Sequence, residues 1–475
     1  MSEERAILYV QQCPTPHSKK HMPYQLRDKD VKHYPHFDAP ISKAALEILV
    51  NDSGAVAANP FYPFLVYDKQ TNSIQRRLGG KQGVKARPIR YAARIDAAIF
   101  ARYRSLLSIH YEAALAKRGL DHSVLAYRQI KKTCGGGKCN IDFAKDAFDC
   151  IASYDECTVY AFDIASYFEN IDHQVLKAHW ADLLGDKQLP PDHFKVFKAI
   201  TQYAHIDREA ALKALGYKVD SDLPEQLCKP SVFREKIVKQ GLIQRNANTW
   251  GIPQGSPISD VLANIYLLDF DTAMHAYASS KDGVYLRYSD DILLIIPHCP
   301  DAAGVSALVT GELKKQGGKL TLSEEKTVIT KFHRIGGDLN YQQVSAGKVV
   351  NGVEYLGFRF DGTKVFLRDS TVSGLYRKIS RACKHYARTH IAKNPGQDFS
   401  WLKQNFDFRA IEQQFGKVQD FEPHCNKNNW TFWTYASKAL SCFENDNQGI
   451  RRQLRNQKKH IRNRFEHHLR RELNG

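Results

Sequence analysis

The sequence has no C-x-x-C pair, and its ten cysteines, at 13, 134, 139, 150, 157, 228, 299, 383, 425 and 442, follow no framework spacing. A regular disulfide scaffold and a four-cysteine zinc site are thereby excluded, and a reducing cytoplasm fits. No run approaches the ~18 apolar residues needed to span a bilayer. The opening MSEERAILYVQQ lacks the apolar core of a signal peptide, so a protein that is neither exported nor membrane-bound is expected. Internal repeats and low-complexity tracts are absent. Acidic residues are in deficit, 51 against 68 Lys and Arg, giving a net charge of +17 and a pI near 9.3. That field makes polyanions the natural partners, although a ribosome-associated or membrane-surface protein shares the composition. With 43% hydrophobic and 25% charged residues, the 475-residue chain is ordinary globular material for several domains.

Pro14, Pro16, Pro23, Pro35 and Pro40 break residues 1–60 into an irregular extension. From Ala92 to about Ala116 apolar residues recur at helical spacing, which predicts a long helix ending at Gly119. The loop KKTCGGGKCN at 131–140 lacks the G-x-x-x-x-G-K-[ST] spacing of a phosphate cradle and reads as a flexible turn; Cys134 and Cys139 have no further metal ligands at known spacings. His110 and Glu112 form an H-x-E, but no P-C-x-x-C follows, which excludes zinc deaminase chemistry. Strand-like runs appear at TVYAFDI, GVYLRY, DILLII and VEYLGFRF, separated by helical stretches without strict βαβ alternation. An α+β fold is expected.

In LRYSDDILLII, residues 286–296, two carboxylates interrupt an apolar strand pattern. Ser289 and Asp290 suit a tight hairpin turn that holds Asp290 and Asp291 at its tip. Adjacent carboxylates repel unless a cation neutralises them. Asp163 ends the apolar run TVYAFDI, and if the two strands are neighbours, Asp163 and Asp290 would share two Mg2+ ions with water and phosphate oxygens. Such a pair would activate a primer 3'-hydroxyl and stabilise a leaving pyrophosphate. A solvated turn is the plain alternative for an isolated Asp-Asp pair.

GIPQGSPISDVLANIYL at 251–267 resembles the motif shared by reverse transcriptases of the group II intron, retron and abortive-infection type. FDIASYFENIDH at 162–173 and YSDD at 288–291 supply two more palm motifs in that family's order, and KARPIRYAARID, VLAYR, LTLSEEKT and VEYLGFRF extend the likeness over about 80–365. The resemblance implies a right-hand polymerase of fingers, palm and thumb. It makes Asp163, Asp290 and Asp291 the catalytic carboxylates, with Asp163, the Ile164 carbonyl and Asp290 as direct metal ligands and Asp291 in support. The cofactor it implies is Mg2+, two ions, with Mn2+ able to substitute. Phe168 matches the steric gate that crowds a ribose 2'-hydroxyl and so selects deoxynucleoside triphosphates. Gln254 and Gly255 would lie beside the incoming sugar and templating base, Lys326 would protonate the leaving pyrophosphate, and Lys85, Arg87 and Arg90 would grip the triphosphate. Tyr355, Leu356 and Gly357 fall in the strand that resembles the primer grip.

Beyond about residue 366 the chain reads as helical and basic. Leu375, Ile379, Ala382 and Tyr386 share one face of a helix, with Arg377, Arg381, Lys384 and Arg388 along another. Residues 451–475 repeat the pattern, with Arg451, Arg455 and Arg462 set against a stripe of Leu454, Ile461, Phe465 and Leu469. These cations are candidates for tracking nucleic-acid phosphates, and Trp430 and Trp433 read as packing residues. The expected order is an extension (1–60), fingers (61–160), palm (161–365, with an insertion at about 185–250) and a thumb with basic C-terminal region (366–475). Asp260 stands where the family commonly has proline, and Ala97 where group II enzymes show arginine. No zinc or HNH endonuclease pattern follows the thumb, so the resemblance narrows to stand-alone bacterial enzymes of phage defence. The partners it implies are an RNA template, in particular a structured noncoding RNA, dNTPs and a DNA product; a homo-oligomer stays open. Template-independent or protein-primed DNA synthesis is the enzymatic alternative, and a non-catalytic RNA-binding protein the alternative of another class.

Overall fold

The runs TVYAFDI, GVYLRY and DILLII form strands as expected, and further strands form outside the apolar runs. The computed structural model describes residues 23–71, 85–133, 135–218, 222–297, 301–345, 348–415, 431–443 and 448–474, the side chains of 69–71 and 85–87 excepted. Cys134 and Trp430 lie outside the described residues. Chain order gives β1 (Phe64–Thr71), β2 (Lys85–Tyr91), β3 (Glu156–Asp163), β4 (Ala204–Asp207), β5 (Gln244–Arg245) and β6 (Val284–Tyr288). These are followed by β7 (Asp291–Pro297), β8 (Val328–Ile335), β9 (Asp338–Gln343), β10 (Val353–Tyr355), β11 (Phe358–Phe360) and β12 (Val365–Leu367). The chain divides into two compact units, Met1–Lys117 with Ser166–Leu268, and Arg118–Ala165 with Asp269–Gly475.

The first unit holds a sheet of order β2-β1-β4-β5. β1 runs antiparallel to β2 and parallel to β4, Phe64 opposite His205. The stretch expected as an insertion thus supplies β4 and β5 to the sheet that β1 and β2 begin. The predicted long helix is present as Arg94–Lys117; Leu107, Tyr111 and Leu115 are buried at i, i+4 spacing. Ala97 is fully buried, so an arginine has no room there.

His36 is fully buried in this unit, its Nδ1 accepting the Phe37 N–H at 2.9 Å. Burial, reinforced by the Arg94 guanidinium, lowers its pKa to about 3. Between pH 3 and 6.5 the folded form therefore binds fewer protons than the unfolded chain. Its stabilising contribution is complete above pH 6.5 and lost as the pH falls through that window. At pH 5 the loss is about 2 kcal/mol, from ~1.4 kcal/mol per pH unit. Urea unfolding at pH 7 and pH 5 should show this increment in the wild type and not in His36→Phe; equal pH dependence in both would refute it.

The second unit is built on an antiparallel sheet of order β6-β7-β3-β8-β9, with β10-β11-β12 as a smaller sheet. β7 is an interior strand, flanked by β6 and β3, and Ile292 to Ile296 are all buried, which is why its sequence is a continuous apolar run rather than an alternating one. Phe360 of the small sheet stacks on Phe148 at 5.3 Å and on Phe332 at 6.0 Å. Helix Asp369–Lys393 buries Leu375, Ile379, Cys383 and Ala387, while Ala382 and Tyr386 are half-buried. The buried row keeps i+4 spacing, a correction to the expected stripe. Ile461, Phe465 and Leu469 of helix Gln457–Leu473 are buried as expected, and the Cys383 thiol lies 3.7 Å from the Ile461 carbonyl. Trp433 is half-buried. Among the described residues no helix is long and apolar enough to cross a membrane. Largely antiparallel sheets mixed with helices make this the α+β class that the sequence predicts.

Candidate active site

In the second unit, β6 and β7 form a hairpin in which Tyr288 opposes Asp291, leaving Ser289 and Asp290 as the two-residue turn. Ser289 adopts a φ of 61°, the positive value that a two-residue turn needs to match strand twist. β3 pairs beside β7 with Asp163 opposite Asp291. The Ile164 N–H donates to the Asp290 carbonyl at 3.0 Å, and the Ser323 N–H to the Asp163 carbonyl at 2.8 Å. Two separate sequence motifs, 127 residues apart, thus deliver their carboxylates to one end of one sheet.

The electrostatics match the geometry. Burial raises the Asp290 carboxyl, and the neighbouring Asp163 charge raises it further. Asp291 is pushed up to about 7 by burial and by Asp290 and Asp163, against the opposing pull of Lys326 and Arg368. The Lys326 ammonium donates to both oxygens of Asp163, at 2.6 and 2.7 Å. One cation therefore already answers the cluster, and the remaining repulsion falls on Asp290 and Asp291.

The first unit organises the other family motif. Gly251 donates to the Ile171 carbonyl at 2.8 Å, and Ile252 to the Phe168 carbonyl at 2.8 Å, so the 251–255 loop is laced to the segment that carries Phe168. The Phe168 ring is half-buried. Arg90 N–H donates to the Gln254 carbonyl at 2.9 Å, and the Arg90 guanidinium lies over the Tyr203 ring at 5.3 Å. Lys85 and Arg87 are on β2, their side chains outside the description. Gly255 has a φ of 111°, and a Cβ there would stand 2.7 Å from the Arg90 carbonyl. Both the backbone conformation and the space demand glycine. Gly255→Ala should therefore destabilise this unit by about 1–3 kcal/mol and speed hydrogen exchange at the Arg90 amide; unchanged protection there would sink the argument. Asp260, the residue at a common proline position, forms a bidentate pair with Arg104, with Nη2 to Oδ2 at 2.7 Å.

The remaining candidates divide by exposure. Tyr355 is buried, and burial holds its hydroxyl well above the usual range, so only Leu356 and Gly357 stand at the tip of the β10–β11 turn. Arg377, Arg381, Arg388, Arg451, Arg455 and Arg462 are exposed and Lys384 half-exposed. Glu472 takes Arg388 at 2.6 Å and Lys384 at 3.7 Å, and the Arg462 guanidinium lies over Phe408 at 5.5 Å. Three residues carried no sequence expectation: Arg287 and Tyr127, which meet the hairpin turn, and Asp271, which holds Arg287; an arginine between apolar strand positions was the available signal.

The family model described as Reverse transcriptase (RNA-dependent DNA polymerase) matches residues 103–360, more than half of the chain. The chain belongs to the reverse transcriptase family. The match contains Asp163, Phe168, Gln254, Gly255, Asp290, Asp291 and Lys326, and the right-hand polymerase fold expected from the motifs is that family's fold. The chain is also similar to telomerase reverse transcriptase of Rattus norvegicus, 39% identical over 80 residues, 17% of this chain and 7% of that protein. Among solved structures it is similar to apo telomerase of Candida tropicalis truncated from the C-terminal domain, at 12% identity and TM-score 0.40, covering 69% of this chain and 60% of that one. Telomerase of Candida albicans in complex with a TWJ fragment of telomeric RNA gives 12% identity and TM-score 0.36 over 86% and 63%.

Reverse transcriptases generally use divalent metal ions, and the residues present fit one. Among the described residues no three His, Cys, Asp or Glu side chains converge into a preformed cage. Mg2+ does not require one, since it is held by one or two carboxylates with water and substrate phosphates. Asp163, Asp290 and the Ile164 carbonyl, to which no described group donates, are a hard oxygen set of that kind.

Proposed function

We propose that this chain is an active RNA-directed DNA polymerase working by two-metal nucleotidyl transfer. The observation that carries the reading is the register that sets Asp163 opposite Asp291, with Asp290 in the adjoining turn. Two bound Mg2+ ions would activate a primer 3'-hydroxyl and neutralise the leaving pyrophosphate. Asp163, Asp290 and the Ile164 carbonyl would hold them, and Asp291 would support the turn. Lys326 keeps a proton at Nζ and hands it to the pyrophosphate once Asp163 is otherwise engaged. Arg90, with Lys85 and Arg87, grips the triphosphate; Gln254 and Gly255 abut sugar and templating base; Phe168 excludes a 2'-hydroxyl. Residues 61–160 would serve as fingers, 161–365 as palm and 366–475 as thumb, with Leu356, Gly357 and the exposed arginines of 377–462 on the nucleic acid.

A structured noncoding RNA is the proposed template partner. The motif likeness supports a stand-alone bacterial enzyme of phage defence acting in the cytoplasm, while the relatives named above are telomerases. The test is to purify the chain with its bound nucleic acid and assay dNTP incorporation with Mg2+, sequencing RNA and product. DNA that copies a co-purified RNA is expected. Simple-sequence DNA matching no RNA would replace templated by untemplated synthesis, and no incorporation across several primers would leave an RNA-binding protein.

A further inference from the structure

We infer that Asp271, Arg287 and Tyr127 are positioning residues that set the peptide of the Ser289–Asp290 turn in the geometry a divalent cation needs; this rests on the two-metal reading above. Arg287 lies on β6, two residues before the turn, and is fully buried. Its Nε and Nη2 donate to Asp271 Oδ1 and Oδ2, each at 2.6 Å, and its Nη1 donates to the Ser289 carbonyl at 3.1 Å. Asp271, also fully buried, accepts the Tyr285 hydroxyl at 2.6 Å. The Arg287 main chain is itself anchored, donating to Ser123 O at 2.7 Å and accepting from Leu125 N at 2.9 Å. Two residues beyond Leu125, Tyr127 stands at a φ of 64° with its hydroxyl 3.0 Å from Ser289 Oγ. Ser289 is thus held at its carbonyl and at its side chain.

Stability alone does not account for this arrangement. A buried ion pair is a poor source of net stability, because desolvation offsets the attraction and a packed apolar pair does as well. What a guanidinium adds is direction: its planar fork, fixed by a bidentate carboxylate, aims the remaining N–H at one point. That point is the carbonyl of the peptide joining Ser289 to Asp290. From the other side the Asp290 carbonyl receives the Ile164 N–H at 3.0 Å, so the peptides flanking Asp290 are both oriented. Mg2+ demands near-ideal octahedral geometry, which makes a small rotation of this turn costly to binding.

The full-length chain is titrated with Mn2+ alone, the free ion being followed by electron paramagnetic resonance, and melting is recorded in parallel. Tyr127→Phe removes one hydroxyl from a side chain 41% exposed and leaves the fold alone. Asp271→Asn/Arg287→Gln keeps a hydrogen-bonding amide pair but is too short to reach the Ser289 carbonyl. Weakening of the Mn2+ affinity is expected, about fivefold for the first and about tenfold or more for the second, with the melting temperature of Tyr127→Phe unchanged. If the double variant fails to fold, Tyr127→Phe carries the test. Wild-type Mn2+ affinity in folded variants overturns the proposal and leaves the two-metal reading standing. A wild type that binds no Mn2+ removable by Asp290→Asn overturns both.

Discussion

Asp290→Asn is expected to abolish dNTP incorporation, by about 10^3-fold or more, while raising rather than lowering the melting temperature of the metal-free protein. The first half follows from the proposed role. Charge neutralisation by metal at transferring phosphoryl oxygens is worth several kcal/mol of barrier, at ~1.4 kcal/mol per tenfold in rate. The second half follows from the site itself. Burial and the Asp163 charge both disfavour the ionised form of Asp290, so a neutral isostere relieves desolvation and the repulsion with Asp163 and Asp291. Backbone bonds made by the turn, including Ile164 N–H to the Asp290 carbonyl, do not depend on the carboxylate. Gain of stability with loss of function is the signature of a charged cluster maintained for chemistry. Incorporation assays and melting curves on the same preparations check it, and full activity in the variant would remove Asp290 from the reaction.

Phe168→Ala should raise ribonucleotide incorporation relative to deoxynucleotide by about 10^2-fold, the scale on which a pocket tells close analogues apart by steric fit. The ring can be removed without moving the chain that bears it, because the Phe168 carbonyl is fixed by the Ile252 N–H at 2.8 Å. Its neighbour Tyr167 is buried and hydrogen-bonded through its hydroxyl to the Ala263 carbonyl, which anchors the segment independently. The ratio of kcat/KM for each dNTP to that for its rNTP is the quantity to measure. An equal fall for both sugars would assign the ring to packing, and an unchanged ratio would exclude it as a gate.

The carboxylates were legible because their placement is local. A strand that ends in Asp163, and a hairpin whose turn is Ser289 and Asp290, are patterns of a few residues, and burial of β7 on both faces produces its unbroken apolar run. Tyr355 shows the limit of such reading. VEYLGFRF read as one strand, but it folds as two, β10 and β11, joined by a turn at Leu356 and Gly357, and the packing of that hairpin buries Tyr355. The stretch 185–250 read as an insertion because β4 pairs with β1 across more than 130 residues, and such pairing leaves no periodic trace.

By itself the sequence determined the family, the α+β class, the strand end and hairpin turn that carry Asp163, Asp290 and Asp291, and the amphipathic character of the C-terminal helices, all of which depend on residue type and short-range spacing. Only the tertiary structure decided which charges are satisfied and by whom. Asp271 and Arg287 find each other from a helix and a strand; Asp260 finds Arg104 across 156 residues; Glu472 takes Arg388 and Lys384 from the basic row but leaves Arg377 and Arg381 exposed. Partner choice of this kind is set by which surfaces pack together, and a charged side chain carries no local mark of the opposite charge it will meet.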